Sequence, residues 1–149
     1  MSGIKYFPQD LNLENKTIIL RVDLNVPIVE KKIQDFTRIS LILPFLEELI
    51  KKKSKIILIS HLGRPKGLRD STLSLLPIYK HLKEKLNTNM YFYTGEINEE
   101  LNFKCSYLKN SEVLLIENIR FFKEETDNEE NLSKKISNLG NIYINDAFS

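Results

Sequence analysis

Hydrophobic residues fall along this chain in two alternating patterns. Short unbroken apolar runs, Ile18, Ile19, Leu20 with Val22, then Ile56, Ile57, Leu58, Ile59, then Val113, Leu114, Leu115, Ile116, have strand length and show water no alternate face. That pattern predicts strands buried on both sides of a parallel sheet. Two weaker runs, at residues 90–93 and 141–148, predict further strands. Between them, Ile39, Ile42, Leu43, Leu46, Leu49 and Ile50 repeat at helical spacing within residues 35–53, and residues 73–86, 98–108 and 127–139 carry further helical patterns. Alternation of strand and helix along the whole chain predicts a doubly wound parallel α/β sheet with helices on both faces, a Rossmann-like three-layer fold.

Details of the helical stretches sharpen the expectation. Asp35 or Thr37 is placed to cap the first helix, Lys51, Lys52 and Lys53 to complement the dipole at its end, and Pro44 to kink or divide it. Pro77 sits near the first turn of the second helix, while His81, among Lys80, Lys83 and Lys85, reads as a surface residue. Cys105 reads as a small filler, because nothing beside it would lower its pKa.

Composition narrows the class. With 149 residues, 42% hydrophobic and 28% charged, the chain has the makings of one domain with a real core. A net charge of +2 is too small to argue for nucleic acid, so anion binding must come from local clustering of cations. A single cysteine points to a reducing, cytoplasmic setting, and no apolar run reaches membrane-spanning length, so neither a membrane nor a nucleic-acid partner is expected.

Each buried strand ends abruptly in polar residues. Asp23 and Asn25 follow the first, Ser60, His61, Gly63 and Arg64 the next, Glu117, Asn118 and Arg120 the third, and Asn145 and Asp146 the last. In open α/β sheets ligands lie beyond the carboxyl ends of the strands, so these residues, with Arg38 at a helix start, stand where a ligand belongs. The competing readings are local. Asp23 and Asn25 also suit a turn, and Arg38, whose charge opposes the helix dipole, also suits a surface salt bridge. Arginines at successive strand ends nonetheless argue for an anion, since the guanidinium donates in a planar fork to carboxylate or phosphate. The sequence has no GxxxxGK[ST] loop and no GxGxxG after a strand, and the GRPKG of residues 63–67 has neither spacing. Metal-ligand clusters of His and Cys are also missing, so no metal is expected.

The motifs RVDLNVP at residues 21–27, DFTRI at 35–39, SHLGRPKG at 60–67, LLIENIRFF at 114–122 and YINDAF at 143–148 resemble, in order, those of phosphoglycerate kinase. Leu24, Ile119 and Ser149 depart from the family's usual phenylalanine, leucine and glycine. The resemblance implies a partial amino-terminal domain over residues 1–149, incomplete at its carboxyl end, that binds 3-phosphoglycerate or 1,3-bisphosphoglycerate. It also implies that Mg-ATP or Mg-ADP is bound by a carboxyl-terminal domain absent from this chain, with reversible phosphoryl transfer in glycolysis as the joint activity. Carried over by position, Asp23 and Asn25 meet the glycerate hydroxyl and carboxylate, Arg38 bridges substrate and transferring phosphoryl as the catalytic residue, and His61, Leu62, Gly63, Arg64 and Arg120 belong to the substrate site. One further family arginine would fall beyond Ser149. The family is usually monomeric, and a separate carboxyl-terminal half is the partner implied. Alone the chain is expected to be inactive; the alternatives are a remnant that only binds the phosphorylated acid and an unrelated phosphate-binding α/β domain.

Overall fold

The protein is described, from a computed structural model, over residues 12–65, 68–122 and 129–146. The expectations for Lys66, Gly67, Asp127, Asn128, Ala147, Phe148 and Ser149 lie outside these residues.

Strands β1 (Thr17–Val22), β4 (Lys55–Ile59), β5 (Met90–Tyr93), β6 (Val113–Ile116) and β7 (Ile142–Asp146) form a five-stranded sheet in the order β5-β6-β4-β1-β7, with every pairing parallel. Among the described residues, helices α1 (Thr37–Lys51), α2 (Leu76–Lys85), α3 (Glu99–Ser106) and α4 (Glu129–Ser137) lie in the connections. Alternation along the strands sorts the core into two layers. Ile18, Leu20, Val22, Ile56, Leu58, Val113 and Leu115 pack with α1 and α2, while Ile19, Ile57, Ile59, Leu114 and Ile116 pack with α3 and α4. The two crossovers carrying α1 and α2 step one way along the sheet, and those carrying α3 and α4 step back. A constant crossover hand requires that change of face when direction reverses. The predicted doubly wound α/β fold is therefore the observed one. On central β4, burying each of Ile56, Ile57, Leu58 and Ile59 contributes roughly 1.5 to 3 kcal/mol relative to exposure.

Four local expectations need correction. Pro44 does not divide α1, which runs unbroken for 15 residues. Its side chain lies on the solvent side, where water can take the carbonyl that the missing N–H leaves behind. The N-cap position is occupied by Phe36, neither Asp35 nor Thr37, although the Asp35 carboxylate still accepts from the Thr37 backbone N–H at 2.9 Å. The second helical pattern, expected over residues 73–86, splits into a 3-10 turn, Ser71–Leu73, and α2, because the Ser74 hydroxyl and the Leu75 N–H turn aside to a buried carboxylate, Glu117. His81 is half-buried, its ring 4.6 Å from that of Phe36, so it is not a free surface residue. A small antiparallel hairpin, β2 (Ile28–Val29) with β3 (Lys32–Ile33), was not foreseen. Its turn uses Glu30 and Lys31 at φ of 50° and 66°, a conformation normally signalled by Asn or Gly.

Candidate functional site

The strand order sets the site. Central β4 lies between β1 and β6, so the loops leaving these three strands are neighbours at the carboxyl edge. Ser60, the first residue after β4 and fully buried, clasps both: its hydroxyl accepts from Leu24 N–H at 2.9 Å, and its carbonyl accepts from Ile119 N–H at 3.0 Å.

From the β1 loop, Asp23 receives Arg38. Nη1 of Arg38 donates to both carboxylate oxygens, at 2.8 and 2.7 Å, and to the Asn25 carbonyl at 3.1 Å. This pairing is the anionic partner that a cation in the first turn of α1 calls for. All three bonds use Nη1; Nε and Nη2 of the fork take no part in them. Asp23 also accepts the Asn25 N–H at 2.9 Å, so the turn-forming reading of these residues holds together with the ion pair.

The β4 loop turns at Gly63, whose φ of +62° is left-handed. The Gly63 N–H donates to Asn25 Oδ1 at 3.1 Å, and its carbonyl lies 3.5 Å from Arg120 Nη1, so this glycine touches a predicted site residue on each neighbouring loop. Leu62 is buried in the core on the α1 and α2 face, and therefore reaches a ligand only through its backbone. Arg64 is exposed on the same loop.

His61 is half-buried, and its pKa is lowered from the ordinary histidine value. Burial contributes most, followed by the positive charges of Arg120 and Arg21; Asp23 opposes them and Arg38 adds to them. Three arginines thus act on one imidazole, although they arise on β1, α1 and the 3-10 turn Ile119–Phe121. Arg21 was not singled out from sequence. The signal was present, since a guanidinium interrupting the buried run of β1 needs a reason. Asn145 and Asp146 pair in register with Arg21 and Val22, at the same end of the sheet.

Such a rim can bind and orient a small anion with carboxylate or phosphate groups, drawing on charge-assisted bonds of about 1.5 to 3 kcal/mol each where water is partly excluded. Cys105 lies elsewhere, buried on the α3 face, and burial pushes its thiol up to about 12. Among the described residues no three His, Cys, Asp or Glu gather as a metal site, and no helix is long and apolar enough to cross a membrane.

The family profile described as phosphoglycerate kinase matches residues 8–149. The phosphoglycerate kinase of Coprothermobacter proteolyticus is 43% identical over 142 residues, which are 95% of this chain and 36% of that protein. That of Pseudothermotoga lettingae is 44% identical over 141 residues, 94% of this chain and 36% of the relative. Among solved structures, phosphoglycerate kinase from Coxiella burnetii superimposes with a TM-score of 0.81 at 34% identity, covering 93% of this chain and 34% of that one. The Pyrococcus horikoshii enzyme gives 0.80 at 30% identity, covering 93% and 36%. The chain spans about a third of the length of the relatives it matches.

Proposed function

The chain belongs to the phosphoglycerate kinase family, and from that premise we propose that it supplies the substrate-binding half of such a kinase, holding 3-phosphoglycerate or 1,3-bisphosphoglycerate. The observation that carries this reading is that Arg38, held on Asp23, and Arg120, whose Nη1 lies 3.5 Å from the Gly63 carbonyl, stand on segments that meet around the loop of His61 and Gly63 at the carboxyl edge of the sheet. A phosphorylated three-carbon acid offers two anionic ends and a hydroxyl, and the rim offers matching groups. Arg120, Arg64 and His61 hold the phosphate. Asp23, which keeps acceptor capacity beyond its bonds to Arg38 and Asn25, takes the hydroxyl, with Asn25 beside it. Arg38 faces the carboxyl end, where the transferring phosphoryl group arrives.

In this reading Mg-ATP or Mg-ADP is the second substrate. By the family resemblance the nucleotide falls to a carboxyl-terminal half, on the same polypeptide or a separate one. What these residues contribute is positioning and fixed positive charge, which dominate catalysis of phosphoryl transfer. Half a cleft supplies little of either, so the chain alone is expected to turn nothing over. A soluble, cytoplasmic and monomeric state accords with the family.

Calorimetric titration of 3-phosphoglycerate into the chain tests the reading. Binding with Kd on the order of 0.1 to 1 mM is expected, and it should weaken in Arg120→Ala; absence of heat up to roughly ten times that concentration overturns the assignment. A coupled assay with ATP should stay at the buffer blank, and turnover well above it would refute the division of labour between halves.

A further inference from the structure

We infer that Asn118 is a positioning residue of the anion site, setting the distance between the loop bearing His61 and Gly63 and the turn bearing Arg120; the inference rests on the proposed substrate site. Its side chain is fully buried. Nδ2 donates to the Leu62 carbonyl at 2.7 Å and to the Leu73 carbonyl at 2.9 Å, while Oδ1 accepts from the Arg120 backbone N–H at 3.1 Å. One amide therefore fixes three segments, the loop after β4, the 3-10 turn before α2, and the residue carrying a predicted phosphate ligand.

The amide is itself held. The Asn118 N–H donates to Glu117 Oε1 at 2.8 Å, and the buried Glu117 carboxylate also receives Leu75 N–H at 2.8 Å and the Ser74 hydroxyl at 2.6 Å. Only an amide fits this position. Both carbonyls need donors and Arg120 N–H needs an acceptor, and among side chains of this length only asparagine supplies two donors and an acceptor on one planar group. The arrangement also bears on Gly63, because a Cβ there would meet the Leu73 side chain at 2.7 Å, and Leu73 is the residue whose carbonyl Asn118 holds. The Asn118 side chain meets two predicted site residues only at their backbone, the Leu62 carbonyl and the Arg120 N–H, and acts on a ligand through them.

Asn118→Asp keeps the shape and replaces the donor by an oxygen aimed at two carbonyls. Burial and the adjacent Glu117 carboxylate raise the pKa of the introduced carboxyl, and the Arg120 guanidinium and any charge on His61 oppose them. Protonation restores one donor, so the defect should be pH-dependent. Titrating 3-phosphoglycerate into the 149-residue chain and this variant between pH 5 and 8.5 measures the ratio of affinities, in which ionisation of the ligand and of His61 largely cancels. We expect binding weaker by about tenfold or more at pH 8, with the ratio closing as pH falls. Equal affinity at pH 8, or a deficit constant over the range, overturns the inference. A second arm needs no ligand and no ionised variant. In Asn118→Ala, amide hydrogen exchange at Arg120 and Gly63 should accelerate by about tenfold or more while Ile57 and Leu58 in β4 are unchanged; unaltered protection at Gly63 and Arg120, or equal loss in β4, refutes positioning. If the unmodified chain gives no heat with 3-phosphoglycerate, the substrate assignment fails and the exchange arm still decides the role of Asn118.

Discussion

Arg38 reaches back 15 residues to Asp23 and places a single nitrogen, Nη1, within 2.8 Å of both carboxylate oxygens. The Asp23 side chain is 13% exposed and that of Arg38 42%, so the pair is anchored at its acidic end and open at its basic end. That asymmetry suits a cation that is aimed before its ligand arrives.

The first expectation concerns that aim. In a two-domain enzyme built by joining this chain to the rest of a family member, Arg38→Ala should lower kcat by about two to three orders of magnitude, the usual loss when a fixed donor to transition-state charge is removed. Arg120→Ala should instead raise KM, because the phosphate it is proposed to hold hardly changes charge during reaction. Arg38→Lys should rescue poorly, since an ammonium cannot hold Asp23 with one nitrogen and present a planar fork to a ligand. Steady-state kinetics decide; a change in KM alone for Arg38→Ala would make it a ground-state binder.

His61 links the site to pH. Its pKa in the folded chain is depressed by burial, Arg120, Arg21 and Arg38, so the unfolded chain binds the proton more readily. The stabilising contribution is fully present above the ordinary value of about 6.5 and is lost as pH falls from there through the lowered folded pKa. Denaturant unfolding at pH 7.5 and 5.5 should show a smaller loss of stability in His61→Gln than in the unmodified chain. A bound phosphate should reverse the electrostatic balance and draw a proton onto His61, visible as proton uptake on binding that His61→Gln reduces.

Gly63→Ala tests the loop. An L-residue at φ +62° costs about 1 to 2 kcal/mol, and the added Cβ would also press on Leu73 Cδ2 at 2.7 Å. Thermal unfolding should register that loss, and 3-phosphoglycerate affinity should fall with it because the Gly63 N–H would leave Asn25.

Edge position should show in exchange. β7 pairs with β1 alone among the described strands, and Tyr143 and Asn145 are exposed, whereas β4 is paired on both sides and buried over residues 56–59. Amides of residues 142–144 should therefore exchange faster than those of 56–59 in the monomer. Equal protection would mean that the edge is covered.

Sequence alone determined the layers and the inventory. Unbroken apolar runs separated by helical periodicity can bury their faces only in a sheet covered on both sides, and the polar residues that close those runs must emerge at its carboxyl edge; hence Asp23, His61, Arg64 and Arg120 were legible as a set. Burial is recorded in side-chain type, position by position, and that record is local. Which strand lies beside which is not local: the order β5-β6-β4-β1-β7, which puts the loops of β1 and β6 on either side of His61, was decided by long-range pairing. The Ser60 clasp and the Asn118 amide were decided there too. Asn118 finds its partner carbonyls 56 and 45 residues away, on Leu62 and Leu73. Every residue carries a backbone carbonyl, so an acceptor of that kind leaves no trace in residue type, and only the folded chain selects which ones the amide meets.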